Sequence, residues 1–173
     1  MTNNFFTYLQ QLELLAFFSG YSLLYAVTIF IGGLGQLKNT FISKISLLLP
    51  LSYALTGTFY FAFQLKKLYP DYSIQHISLT VQIPWLMAWA LLTLLFWIPS
   101  FPKRKVASLI HSLVFFSILV KDIFLQLSAP TADSSVVKND MTVYCTSLLF
   151  NLGSLILIIF FTFLFRYKRQ SYS

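Results

Sequence analysis

The sequence predicts an all-α polytopic membrane protein. It would be a bundle of five transmembrane helices in a single membrane domain over 1–173, with the N-terminus outside and the C-terminus cytoplasmic. Three observations predict this. Only 10% of the 173 residues are charged and 57% are hydrophobic, whereas soluble domains carry roughly 25% charged residues. Mean hydropathy is +0.74, and the apolar residues fall in blocks of about 20, the length a helix needs to cross about 30 Å of hydrocarbon. Turn-forming and basic residues separate the blocks.

The first span is expected at about 14–33, "LLAFFSGYSLLYAVTIFIGG". No Lys or Arg precedes it in "MTNNFFTYLQQLELL", so it lacks the basic leader of a secretory signal and reads as a retained helix. The second span, about 42–65, contains Pro50, which removes a backbone donor and should kink the helix or loosen its first turns. The third, about 79–98, has Pro84 near its start, where unpaired donors make proline inexpensive. The fourth covers about 106–127 and the fifth about 143–165. The intervening segments "GGLGQLKN", "KKLYPDYS", "PSFPKRK" and "SAPTADSSVVKND" carry turn chemistry. Helix is the element expected in lipid, because the chain must satisfy its own backbone. The alternation of a membrane barrel is absent. There is no internal repeat, and five spans do not divide into equal inverted halves as in repeat-built transporters.

The basic residues set the orientation. With the N-terminus outside, eight lie at the inner face: Lys38, Lys44, Lys103, Arg104, Lys105, Arg166, Lys168 and Arg169. Lys66, Lys67 and Lys138 lie outside, with Lys121 as a fourth at the boundary. The positive-inside rule favours this arrangement. All five acidic residues, Glu13, Asp71, Asp122, Asp133 and Asp140, then gather at the outer face. Net charge is +7, but its placement at span ends points to lipid headgroups, and no nucleic-acid motif is present.

Lys121 and Asp122 stand side by side in the apolar run "FFSILVKDIFLQL". Asp122 lies about 24 Å along the fourth helix from Val106, close to the outer boundary, and Lys121 can snorkel to the surface from there. Neighbours on a helix point about 100° apart, so the two should not pair with each other. Intramembrane charges are nonetheless frequent functional residues. His111 shares a face with Asp122 some 16 Å away in height, in the stripe Arg104, Ser108, His111, Phe115, Ile118, Asp122 and Gln126. The second helix offers Tyr53 and Tyr60 in the stripe Ser46, Pro50, Tyr53, Gly57, Tyr60 and Gln64, and the fifth offers Asn151 and Ser154. His111, Asp122, Lys121, Tyr53, Tyr60 and Asn151 are therefore candidates for a polar path or a helix–helix contact. Tyr69, Asp71 and Tyr72, on the turn "YPDYS", are candidates for an outer-loop contact.

Several chemistries find no support. The two histidines, His76 and His111, fall at opposite sides of the membrane, so paired haem ligation is not expected. No His, Cys and carboxylate cluster has metal-ligand spacing, and no cofactor is expected. Ser108 and Ser112 flank His111, but no nucleophile motif or orienting carboxylate accompanies them. The single cysteine, Cys145, reads as a small apolar helix residue. The three tryptophans, Trp85, Trp89 and Trp97, read as interfacial anchors. The expected function is that of a small membrane subunit or accessory protein, not an enzyme, acting through helix–helix contacts with other subunits or itself. Its setting would be a lipid bilayer, the inner membrane of a bacterium. The alternative is a small transporter or channel with a polar path along the second and fourth helices.

Overall fold

The computed structural model describes residues 2–34, 40–98, 100, 105–128 and 134–170. Its helices are α1 (Thr2–Phe18), α2 (Tyr21–Leu34), α3 (Thr40–Leu68), α4 (Ile74–Thr80), α5 (Pro84–Leu91), α6 (Lys105–Ser128) and α7 (Ser134–Gln170). A 3-10 segment, Leu92–Trp97, continues α5. Among the described residues there is no strand. Four stretches are long and apolar enough to cross a membrane: Phe6–Phe30, Lys44–Leu68, Val106–Ser128 and Asn139–Phe165. The bent pair Ile74–Thr80 and Pro84–Trp97 makes a fifth if counted as one span. This is the architecture of a multi-pass membrane protein.

The structure differs from the sequence reading in several places. The first apolar stretch begins at Phe6, because α1 runs unbroken through Gln10, Gln11 and Glu13. The third span is not one helix over 79–98, because α4 and α5 meet at 99°. Pro84 is the cause. A residue before proline is driven out of the helical region, and Ile83 sits at φ −126° and ψ 76°. Proline then opens α5 at its first turn, where the missing donor is not needed. The free N–H groups of Gln82 and Ile83 donate to Gln10 Oε1 at 2.6 and 2.9 Å. Pro84–Trp97 alone would span only about 24 Å. Pro50, by contrast, lies buried inside α3, which stays helical on both sides of it. Of the expected turns, 35–39, 101–104 and 129–133 lie outside the described residues, with Lys38, Lys103, Arg104 and Asp133; 134–140, expected to belong to the last turn, is instead helical and opens α7.

In lipid, helices gain little from hiding apolar surface against one another, so close packing and hydrogen bonds hold the bundle. An aromatic column fills its centre. Phe18, Tyr21, Tyr53, Tyr60 and Phe115 are all fully buried. Tyr21 stacks on Tyr53 at 4.2 Å and Phe18 on Phe115 at 4.9 Å, contacts worth about 0.5–1.5 kcal/mol each beyond burial. Two glycines permit the tightest approaches. A Cβ at Gly20 would stand 2.6 Å from Leu148 N on α7, and one at Gly57 would stand 1.9 Å from Thr93 Oγ1.

The first stretch is broken at Ser19–Gly20, and α7 answers the groups freed by the break. Asn151 Nδ2 donates to the Phe17 carbonyl at 2.8 Å, and the Gly20 N–H donates to Ser147 Oγ at 2.8 Å. Such pairing is what lets an irregular backbone persist at membrane depth.

Candidate functional site

The polar groups fall into layers along the bundle. Helices α1 and α2 run antiparallel to α6, with three contacts in register: Gln11 with Asp122, Phe18 with Phe115, and Tyr21 with Ser108. The aromatic pair thus separates an inner polar layer from a polar layer at one end.

The inner layer centres on His111, only 7% exposed. Its Nδ1 lies 2.8 Å from Tyr53 Oη and its Nε2 lies 2.8 Å from the Trp89 carbonyl. A carbonyl can only accept, so Nε2 carries the proton and the neutral ring's Nδ1 accepts from the Tyr53 hydroxyl. The Trp89 indole lies parallel to the imidazole at 4.8 Å and 4°, and its N–H donates back to the His111 carbonyl at 3.3 Å. Trp89 is therefore a packing partner of α6. Trp97 donates to Thr58 Oγ1 at 2.9 Å, and Trp85 is 62% exposed.

Beside this layer, Asn151 ties three elements together. Besides the Phe17 carbonyl, its Nδ2 reaches the Ser147 carbonyl at 2.8 Å, and its Oδ1 lies 3.4 Å from Thr56 Oγ1 on α3. Thr56 also meets Ser154 Oγ at 3.1 Å.

The end layer holds the charges. Gln11 Nε2 donates to Asp122 Oδ2, and Gln126 Nε2 donates to Asp140 Oδ2 at 2.8 Å. Asp140 is buried, and the Asp122 and Asp140 carboxylates are within electrostatic reach of each other. Glu13 on α1 pairs with Lys67 on α3 at 2.8 Å. Tyr60 Oη and Gln64 Nε2, one turn apart on α3, are buried without a hydrogen bond, as is Gln126 Oε1.

The candidate residues are thus dispersed rather than convergent. His111 and Tyr53 meet directly, whereas Asn151 serves a separate knot. Asp122 belongs to the end layer, and Lys121 beside it is exposed. Tyr69 and Tyr72 are 73% and 54% exposed. Asp71 does local work: it accepts from the Ser73 N–H and hydroxyl, both at 2.9 Å, while Ser73 Oγ caps α4 by accepting from the His76 N–H at 3.2 Å. Those two hydrogen bonds hold the Asp71 carboxyl below the usual carboxylate range, with His76 adding a smaller pull.

Ser108 and Ser112 do not meet His111 as nucleophile and base. Both His111 nitrogens are occupied, Ser108 is bonded to Tyr21, and Ser112 donates to the Leu109 carbonyl. Among the described residues no three His, Cys, Asp or Glu side chains gather as a metal site would require. The chain matches no known family, no curated protein and no solved structure with which it was compared.

The sequence reading passed over Gln10, Gln11 and Ser147. Gln10 and Gln11 fell outside a span begun at Leu14, yet they stand in the same helical run as the apolar residues that follow. Ser147 lies one turn before Asn151, and that spacing was the available signal.

Proposed function

We propose that the chain is a small subunit or accessory protein of a membrane complex, acting through helix–helix contacts. Its setting would be a bacterial inner membrane, with the N-terminus outside and the C-terminus cytoplasmic. The observation that carries this reading is the contrast between the interior and the outer faces. The interior polar groups around His111 and Asn151 are answered by one another. The apolar windows of α6 and α7 are only 28% and 22% buried within the bundle, leaving two long faces for neighbours. Cys145, exposed on α7 beside Thr142, Thr146 and Leu149, marks one of them. Extraction in mild detergent of a chain tagged at its C-terminus tests the proposal. A stoichiometric partner or a defined homo-oligomer is expected, and a monodisperse monomer would refute it. Oxidative crosslinking through Cys145 then tells whether α7 meets a second copy.

One observation favours transport as a second reading. Glu13, Asp122 and Asp140 all lie within the membrane-crossing stretches and at the same end. A path from there toward His111 is stopped by the Phe18–Phe115 stack, so transport would require those rings to part. On this reading Asp122→Asn abolishes flux in reconstituted vesicles without lowering expression, and unchanged flux removes the idea.

A further inference from the structure

On the outside of the bundle, between α1, α3 and α7, lies an open groove of about 540 Å³. Its walls include Phe17, Phe59, Phe63, Phe150 and Leu157, with Gly153 among them. A groove like this would ordinarily take a lipid tail. Its end distinguishes it. Glu13 stands one turn from Phe17 on α1, and Lys67 stands one turn from Phe63 on α3. The Glu13–Lys67 ion pair therefore sits at the mouth of the groove.

In that pair the chain's own lysine sets an ammonium group on a carboxylate. Both Glu13 carboxylate oxygens accept from Lys67 Nζ at 2.8 Å. The same nitrogen stands 5.6 Å from the Phe63 ring centroid, within the range of a cation–π contact. Tyr60 packs edge-on against Phe17 at 5.4 Å, and its buried hydroxyl lies within electrostatic reach of Glu13. The Lys67 and Glu13 side chains are 33% and 26% accessible. A lysine on a flexible stem in the last turn of α3 can swing into water, and a second ammonium can then take its place without a change of charge in the site.

We propose that Glu13, Phe63 and the phenylalanine-lined groove form a binding site for an amphiphilic organic ammonium compound. Its ammonium replaces that of Lys67 on Glu13, and its aromatic or aliphatic body lies along Phe17, Phe59 and Phe150. The site lies outside the His111 and Asn151 layers and does not depend on the function proposed above.

The test is equilibrium dialysis of phenylbutylammonium against the full chain in nanodiscs of zwitterionic lipid, with empty discs subtracted. Phenylbutanol serves as the uncharged analogue. Saturable binding is expected for the ammonium and much weaker binding for the alcohol. The two halves of the ion pair should act in opposite directions. Glu13→Gln should weaken binding by about tenfold or more, because the charge-assisted bond is lost. Lys67→Met removes the internal competitor and should tighten binding. Gly153→Phe fills the groove at a position with no neighbour within 4 Å, and it should weaken binding while leaving the ion pair in place. The proposal is overturned if Lys67→Met leaves affinity unchanged or lowers it. Equal binding of phenylbutanol would reduce the site to an apolar groove and overturn it too. So would the absence of saturable binding in both wild type and Lys67→Met.

Discussion

Replacing Gly20 by alanine should weaken the bundle, although alanine in a helical stretch normally improves on glycine by about 1 kcal/mol. The opposing terms follow from the geometry. The new Cβ would stand 2.6 Å from Leu148 N, 2.7 Å from Ser147 C and 2.9 Å from Leu148 Cα. All three are backbone atoms of α7, so no side chain can rotate away. Restoring van der Waals separation requires the α1–α2 joint to withdraw by about 1 Å, and overpacking of this kind costs about 1–3 kcal/mol. The withdrawal also stretches the 2.8 Å bond from the Gly20 N–H to Ser147 Oγ past the useful range. A buried amide left unpaired costs about 1–3 kcal/mol more. The net expectation is a loss of about 1–5 kcal/mol, with the propensity gain already subtracted. Gly153→Ala is the internal control, since its Cβ would meet nothing within 4 Å and only the propensity term should remain. SDS titration of the protein in bicelles, followed by tryptophan fluorescence, reads both variants. The reasoning fails if Gly20→Ala unfolds at the same or a higher SDS fraction than wild type.

Two further outcomes follow from the polar layers. His111→Phe should destabilise the bundle by about 1–3 kcal/mol, because it leaves the Tyr53 hydroxyl and the Trp89 carbonyl without their partner. Adding Tyr53→Phe should restore part of that loss, and strictly additive effects in the same SDS titration would refute the pairing. Asp71 should titrate below the ordinary aspartate value of about 3.9. Its depressed value means that the ionised carboxylate is favoured in the folded loop. Its support for the α4 turn is therefore present above that ordinary value and lost as pH falls through the depressed one. A carboxyl NMR titration with a midpoint at or above the ordinary value would contradict the Ser73 contacts.

The helices were legible because lipid leaves few alternatives: long apolar blocks bounded by turn residues admit little but helix. The bend before α5 could have been read from Pro84, whose effect falls on Ile83 as well as on itself. Placing proline at a helix start was sound, but assuming continuity back to Leu79 was not. The break at Ser19–Gly20 was less accessible. Gly20 allows the close approach there, but nothing local announces that Ser147 and Asn151 would complete the backbone. Asn151 and Tyr53 were recognisable as polar residues in apolar runs, whereas their partners depend on how helices distant in sequence are rotated. Glu13 and Lys67 could be read only as charges near a boundary. Their meeting beside Phe63 required the fold.

The broken first stretch also has a consequence for how the chain is made. The Phe17 carbonyl and the Gly20 N–H are answered by residues 134 and 127 positions later. While the first helix enters the bilayer, the side chains that complete it have yet to be synthesised. Until the last segment arrives, the first can satisfy these groups only in another way, by closing into one continuous helix or by bonding water. The break is therefore a feature of the assembled bundle, and a chain cut before Ser147 lacks the partners that hold the first stretch in its broken form.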